Sequence, residues 1–205
     1  MTAVTQMTKL SRKFYERDCL AVCKEILGKI LIRVEETHVL TGKVVEVEAY
    51  VGPNDRASHT FGNRLTDRTK VQFAERGHAY IYRIYGIHWC FCIVIGPQYV
   101  PAVCLLRAVQ PLEGLELMRL RTKAETAMKI ANGPGKLCKA FAIDGALYGV
   151  DLCGDSLFLA EGTRLEARDI QSSRRIGVDY AKGSKDLLWR FLIRGNRFVS
   201  RNPGR

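Results

Sequence analysis

Residues 79–95 read AYIYRIYGIHWCFCIVI, and this stretch indicates the type of sheet that the chain forms. It holds two runs of β-branched and aromatic residues, and Tyr85 and Gly86 stand between them. Such runs predict strands, and a glycine between two strands tolerates the positive φ of a tight turn. The stretch therefore predicts an antiparallel hairpin with strands over 79–85 and 88–95 and with Tyr85 at its tip.

Further strands and a few helices are predicted on both sides of this hairpin. Apolar, β-branched runs indicate strands over 30–34, 44–51, 102–109 and 188–193, and helices are expected over 18–27, 112–123 and 134–142. Because most strands follow one another without a helix between them, the sheet is expected to be mainly antiparallel. The sequence thus predicts an α+β fold, a single domain over 1–205 in which a curved sheet carries flanking helices and a protruding β-hairpin. Whether residues 1–8 are ordered is left open.

The strand around 43–51 carries acidic residues within an apolar run. Alternation places Val45, Val47 and Ala49 on one face, which is apolar. It places Glu46, Glu48 and Tyr50 on the opposite face, which is polar. Two carboxylates and a phenol are costly in such surroundings unless they are solvated or used in function. The pattern alone does not choose between these two explanations, nor between the two glutamates.

The charge of the chain indicates its type of partner. Lys and Arg total 32 and Asp and Glu total 21, so the net charge is +11. This excess favours a polyanionic partner, with nucleic acid preferred over a merely solubilising surface. A large aromatic side chain at a hairpin tip of such a protein suits stacking on or between bases.

Composition excludes several classes of protein. The proportions of apolar and charged residues are those of a globular chain, not of collagen, a coiled coil or a disordered chain. No apolar run suits a membrane helix or a signal peptide, so a soluble cytoplasmic protein without a membrane partner is expected. Seven cysteines leave one unpaired in any full disulfide scheme, and with no signal peptide they are expected to be reduced thiols. The absence of a C-x-x-C pattern predicts no metal site.

The segment NGPGKLCKA at 132–140 contains a Gly-Lys pair, at Gly135 and Lys136. A nucleotide-binding P-loop is excluded because Ile130 stands where the motif requires its first glycine, and Leu137 stands where it requires Ser or Thr. What remains is a glycine-rich entry to a helix, either a phosphate contact or a plain turn.

Six segments together resemble the alkyladenine (3-methyladenine) DNA glycosylase family. They are EVEAYVGPNDRASH (46–59), AYIYRIYG (79–86), LLRAVQPLEGLELMR (105–119), GPGKLCKAFAI (133–143), RRIGV (174–178) and RFLIRG (190–195). Each motif alone is weak, but all six occur in the family's order and span most of the chain. The resemblance implies a monofunctional enzyme of base excision repair that flips alkylated purines out of duplex DNA and hydrolyses their N-glycosidic bond. It implies neither metal nor cofactor, and a chain of this size is expected to act as a monomer.

The resemblance also assigns roles to individual residues. In this assignment Glu48 faces a slot for one purine and activates a water as general base, while Glu46 is ordinary. Arg107 and the carbonyl of Ile176 hold that water. The base pocket is formed by Tyr50, His59, Tyr82, Cys92 and Leu105. Tyr85 is the wedge that enters the DNA stack, and the further DNA contacts are Gly86, Ile87 and Lys136.

Cys92 departs from the family's pattern, because animal members carry Asn there, which is thought to exclude normal guanine. Alkylated purines such as 3-methyladenine and 7-methylguanine are cationic, and a pocket of tyrosines attracts a cation by about 0.5–2 kcal/mol. We therefore expect a substrate set that depends more on cationic bases than on neutral ones such as hypoxanthine or ethenoadenine.

Two alternatives stay open at this level. One is a non-catalytic nucleic-acid-binding protein that uses the basic surface and stacking tyrosines. The other is a bifunctional glycosylase with Lys136 as nucleophile, since NGPGKLCKA faintly resembles the hairpin of such enzymes. Base release separates the first from an enzyme, and borohydride trapping of a protein–DNA Schiff base separates the second.

Overall fold

A computed structural model describes residues 7–201 of the chain. Its eight strands form one sheet, and every pairing between described strands is antiparallel. The prediction of an α+β fold with a mainly antiparallel sheet is confirmed. Most of the segment 1–8, whose order the sequence leaves open, lies outside the described residues.

The central strand of the sheet is β2, which has three neighbours. In chain order the strands are β1 (Ile30–Val34), β2 (Val39–Val51), β3 (Ala79–Ile84), β4 (His88–Ile95), β5 (Ala102–Glu113), β6 (Leu157–Ala160), β7 (Ile170–Ser173) and β8 (Arg190–Ile193). In space the order is β3-β4-β5-β2-β1-β6, and β8 pairs with both β2 and β7. Residues 46–48 of β2 therefore lie between β5 and β8.

Five α-helices accompany the sheet in the described part of the chain. They are α1 (Arg12–Tyr15), α2 (Cys19–Ile26), α3 (Leu115–Thr122), α4 (Ala127–Ile130) and α5 (Pro134–Ala140). The side chain of Asp18 caps α2 by accepting hydrogen bonds from the amides of Leu20 and Ala21. None of the helices within residues 7–201 has the length and apolar character needed to cross a membrane.

The boundary between β5 and α3 differs from its prediction. Pro111 belongs to β5, which continues to Glu113, so α3 begins at Leu115 and not at Leu112. Pro111 pairs with Gly42 next to a shift in the register of β2 and β5. A proline is tolerated at such an irregularity because the regular ladder of hydrogen bonds is already interrupted.

A second irregularity changes the alternation of β2. The register of β2 against β5 shifts on both sides of Glu46. As a result, Val44 and Val47 belong to the main core, whereas Val45 packs in a separate cluster with Leu192. The prediction that Val45 shares a face with Val47 and Ala49 is wrong, because a β-bulge interrupts the two-residue period.

The hairpin strands β3 and β4 and the neighbouring strand β5 separate two apolar layers. Phe91, Ile93 and Ile95 of β4 face the main core, which includes residues of α2 and α5. Cys90 and Cys92 face the other way and pack in a smaller cluster with side chains of β3 and β5. This smaller cluster supports the candidate site described next.

Candidate active site

Tyr85 stands at the tip of the β3–β4 hairpin and is almost entirely exposed. Its exposed fraction is 89%, and that of neighbouring Ile87 is 70%. The backbone at Tyr85 has φ +49° and that at Gly86 has φ +69°. The left-handed conformation is natural for Gly86 but costs about 1–2 kcal/mol for a residue with a side chain. An aromatic residue held in this way, with no core to enter, is a candidate functional residue.

The end of the hairpin next to the turn rests on the glycine-rich segment 132–140. A Cβ atom on Gly135 would lie 3.2 Å from the Cβ of His88, so α5 begins directly against the hairpin. A Cβ on Gly145 would lie 2.9 Å from the Trp89 ring. Lys136 is exposed beside this contact, and its Nζ donates to Asn132 Oδ1 at 3.0 Å. The short helix thus supports the tyrosine tip and presents a cation near it.

An aromatic cavity of about 50 Å³ lies over the smaller cluster. It is lined by Tyr50, Ala57, Ser58, His59, Gln72, Tyr80, Tyr82, Cys92, Val103 and Tyr180. The Tyr80 and Tyr82 rings are stacked at 5.2 Å, and the His59 ring meets the Tyr82 ring edge-on at 4.8 Å. The arrangement offers flat apolar faces with polar atoms at their edges, which suits a planar heterocycle.

His59 is neutral at ordinary pH. Burial, followed by the positive charges of Arg68 and Arg64, lowers the pKa of His59 to about 4. The Nδ1 atom of His59 and the hydroxyl of Tyr80 lie 2.8 Å apart and share a hydrogen bond. His59 therefore enters the cavity as an uncharged ring held by a tyrosine.

This lowered pKa predicts a pH dependence of stability. An unfolded histidine takes up its proton near pH 6.5, so between pH 6.5 and 4 the unfolded chain binds more protons than the folded one. The contribution of the neutral His59 ring to the free energy of unfolding is complete above pH 6.5 and is lost as the pH falls towards 4. Between pH 7 and 4.5 the wild type should lose roughly 2–3 kcal/mol more unfolding free energy than His59→Gln. Denaturant titrations at the two pH values measure this, and equal losses in both proteins would contradict the assignment.

Glu48 lies beneath the cavity, fully buried and bonded on both oxygens. Its Oε1 accepts from the Ile176 amide at 2.8 Å. Its Oε2 accepts from the Tyr50 hydroxyl at 2.8 Å and from Arg107 Nη1 at 3.2 Å. Burial and the charge of Glu48 raise the pKa of Tyr50, so the phenol stays protonated and donates.

One expectation about Glu48 is corrected by this geometry. The carboxylate does not line the cavity directly, because Tyr50 lines it and reaches Glu48 with its hydroxyl. Ile176 contacts Glu48 through its amide N–H, and the role of its carbonyl at the water stays a prediction. Access to the carboxylate thus passes through Tyr50.

Arg107 connects Glu48 to a second buried carboxylate, that of Glu46. Arg107 Nε donates to Glu46 Oε1 at 2.9 Å, and Arg190 Nε donates to the same oxygen at 2.8 Å. Burial opposes the charge of Arg107, but Glu48 and Glu46 outweigh it and raise the pKa of Arg107. Glu46 is expected from the resemblance to be ordinary, yet it is as deeply buried as Glu48.

A buried ion pair supports Tyr50 from its other side. Arg175 donates to both carboxylate oxygens of Asp55, at 2.5 and 2.8 Å, and to the Ala49 carbonyl at 2.9 Å. Its guanidinium carbon lies 4.7 Å from the centre of the Tyr50 ring. The segment after β7 is thereby fastened to the end of β2, and Tyr50 is held between this pair and the cavity.

The structure brings most of the predicted site residues together. Those at or beside the cavity are Glu48, Arg107, Ile176, Tyr50, His59, Tyr82 and Cys92. Leu105 is buried in the cluster below, as the cross-strand neighbour of Cys92, and Val103 lines the cavity in its place. Tyr85, Gly86 and Ile87 form the hairpin tip, and Lys136 belongs to α5.

Several residues of the site are not predicted from the sequence. Glu46, Asp55 and Arg175 carry buried charges there, and Gln72 lines the cavity with an Nε2 atom that has no hydrogen-bond partner among the described residues. The quoted motifs contain Glu46, Asp55 and Arg175, but no local pattern distinguishes them from surface charges. Within residues 7–201, no group of three or more His, Cys, Asp and Glu side chains is arranged to hold a metal ion.

Comparison with known proteins identifies the class to which this chain belongs. The chain is a DNA glycosylase, an enzyme that hydrolyses the bond between a damaged base and its sugar. Residues 13–197 match the sequence model described as Methylpurine-DNA glycosylase (MPG). The chain belongs to this family, and the resemblance found in its sequence is confirmed.

Bacterial proteins resemble the chain over its length. Three of them, each named "Putative 3-methyladenine DNA glycosylase", come from Clostridium novyi (strain NT), Clostridium acetobutylicum and Desulfitobacterium hafniense (strain Y51). Their identities to this chain are 42%, 43% and 40%, over 95%, 94% and 95% of it. The alignments cover 100%, 97% and 99% of the three relatives, so the chain spans nearly their whole length.

Proposed function

We propose that the protein excises 3-methyladenine and related alkylated purines from duplex DNA as the first step of base excision repair. It acts as a single domain and a monomer, without metal or cofactor, and breaks the N-glycosidic bond with water. The observation that carries the proposal is the chain of contacts from the aromatic cavity through the Tyr50 hydroxyl to Glu48 and Arg107. The family and the names of the bacterial relatives support the same substrate.

In the first step of this proposal the damaged nucleotide leaves the helix. A base inside a duplex is out of reach, and extruding it costs a few kcal/mol. Tyr85 fills the gap left in the stack, because an exposed aromatic ring at a hairpin tip recovers part of the lost stacking. Gly86 and Ile87 lie against the groove beside it, and Lys136 contacts a phosphate.

In the second step the base enters between Tyr50, His59 and Tyr82. These rings attract a cationic purine by about 0.5–2 kcal/mol beyond the stacking of a neutral one. Cys92 lies at the floor of the cavity and carries no amide that could collide with a guanine 2-amino group. Discrimination therefore depends on the charge of the base, with 3-methyladenine and 7-methylguanine ahead of hypoxanthine and ethenoadenine.

In the third step Glu48 takes a proton from the attacking water. A positioned carboxylate contributes about 10²–10⁴ in rate as a general base. In the DNA-free protein the Tyr50 hydroxyl donates a hydrogen bond to Glu48 Oε2. When the base enters, this hydrogen bond has to break so that Glu48 Oε2 can accept one from the water. Arg107 stays on the carboxylate and orients it, and the peptide of Ile176 fixes the opposite oxygen.

Incubation with a duplex that carries one 3-methylpurine analogue, followed by alkaline cleavage at the abasic site, tests this proposal. We expect cleavage at the lesion, none in the matched undamaged duplex, and slower release from a duplex with hypoxanthine. Binding without release would instead support the non-catalytic alternative. Faster release of hypoxanthine would contradict the charge-based preference, and a borohydride-trapped adduct that disappears in Lys136→Ala would contradict the water mechanism.

A further inference from the structure

Glu46 has contacts that an ordinary strand residue does not need. Its carboxylate is completely buried and accepts from Arg107 Nε and Arg190 Nε at 2.9 and 2.8 Å. It also accepts from the amide and the hydroxyl of Ser200, at 2.5 and 2.7 Å. Four donors from β5, β8 and the segment after β8 therefore converge on one carboxylate.

The charges around Glu46 balance only as a group. Glu46 and Glu48 contribute two negative charges, and Arg107 and Arg190 contribute two positive charges, all within a buried region. Burial would raise the pKa of Glu46, but the two arginines and the Ser200 amide outweigh it and lower the pKa. Glu46 is consequently ionised at every pH at which such an enzyme works.

We propose that Glu46 is a positioning residue for base release: it holds part of the Arg107 guanidinium away from Glu48 and balances the charge around the general base. The inference rests on the proposed function of Glu48. Arg107 is shared, with Nε on Glu46 and Nη1 on Glu48, so neither carboxylate takes the whole guanidinium. This sharing leaves Glu48 with one contact from Arg107 instead of a two-pronged ion pair.

Removal of the charge at position 46 has a defined consequence for Glu48. In Glu46→Gln the buried group carries a net positive charge, and Arg107 is free to turn both nitrogens towards Glu48. Both changes favour the ionised carboxylate, which makes it a weaker acceptor of the proton from water. The other charged or titratable groups near Glu48 are Tyr50, Cys90, Cys92, Arg175 and Arg190. Of these, Arg190 bonds to Glu46 directly, and it keeps its charge in this variant.

The test compares Glu46→Gln with Glu46→Asp, which keeps the charge. Single-turnover release from a 3-methylpurine duplex is measured across pH, together with affinity for a duplex with an abasic-site analogue. In Glu46→Gln the maximal rate should fall about tenfold and the acidic limb of the rate–pH profile should move down by about one pH unit. Affinity should change by less than about twofold, since Glu46 is completely buried and does not reach the protein surface. Glu46→Asp should keep the limb near its wild-type position.

A matched control is Glu35→Gln, which removes the carboxylate partner of Arg121 elsewhere in the protein and should leave the profile unchanged. If Glu46→Gln loses activity only in proportion to its unfolded fraction, with no movement of the limb, Glu46 is merely structural and the inference is overturned. Release of base at the wild-type rate by both variants would overturn it as well. Failure of the proposed function is distinct, because the wild type would then release no base.

Discussion

Replacing Glu48 with glutamine is expected to slow base release by about 10²–10⁴ while leaving affinity for lesion DNA within a few-fold of wild type. The amide has nearly the shape of the carboxylate but cannot accept the proton of the attacking water. Its oxygen can still accept from the Ile176 amide, which holds the side chain in place. Single-turnover release of a 3-methylpurine and binding of an uncleaved lesion duplex, measured separately, give the two quantities.

Glu35→Gln is the matched control for this experiment too, because it makes the same chemical change at an ion pair elsewhere in the protein. The control should release base at the wild-type rate. If Glu48→Gln also released base at that rate, Glu48 would have no part in the chemistry. A parallel loss of binding and release would instead indicate a collapsed site, which near-ultraviolet circular dichroism of the variant would reveal.

The second large effect concerns stability. Asp55→Ala should lower the unfolding free energy by about 3–5 kcal/mol, since it leaves the guanidinium of Arg175 buried and unpaired. For a chain of this size that corresponds to a fall of roughly 6–20 °C in Tm. Thermal unfolding followed by circular dichroism measures it. Because Arg175 also lies against the Tyr50 ring, base release should fall at temperatures where the variant is still folded.

The neighbouring pair Arg174–Asp186 provides the control for Asp55→Ala. Both its side chains are exposed, and Asp186→Ala should cost less than about 1 kcal/mol. The double variant Asp55→Ala/Arg175→Met removes both buried charges and should regain part of the stability. A cost for Asp55→Ala no larger than that for Asp186→Ala would show that the buried pair contributes nothing.

The fold is predictable from sequence wherever a regular period continues. The hairpin over 79–95 follows such a period, and β3 and β4 occur where the pattern indicates. The strands β6 and β7 are missed, because each has only four residues and lies among turns. The bulge around Glu46 is missed for another reason. It arises from the pairing of β2 with β5, and the alternation of residues within β2 alone carries no information about that pairing.

The candidate site is less accessible to local patterns than the fold. Glu48 bonds to Ile176 across 128 positions of the chain, and Asp55 bonds to Arg175 across 120. Pairings over such distances depend on how loops meet above the sheet, so local patterns do not identify their members beforehand. The family resemblance assigns roles to Glu48 and Ile176 but to neither Asp55 nor Arg175. The resemblance in turn does not reveal that Tyr50 separates Glu48 from the cavity, since this is a rotamer of one side chain.

The hairpin tip has a consequence for the speed of lesion search. Tyr85 sits in the short turn between two hydrogen-bonded strands, and β4 is in turn fixed to β5. Ordering a loose loop on each encounter would cost about 1–2 kcal/mol per residue. A turn that is already ordered avoids this entropy loss. In the role proposed for Tyr85, the protein would then probe successive base pairs in brief, weak encounters and stay bound only where a nucleotide leaves the stack.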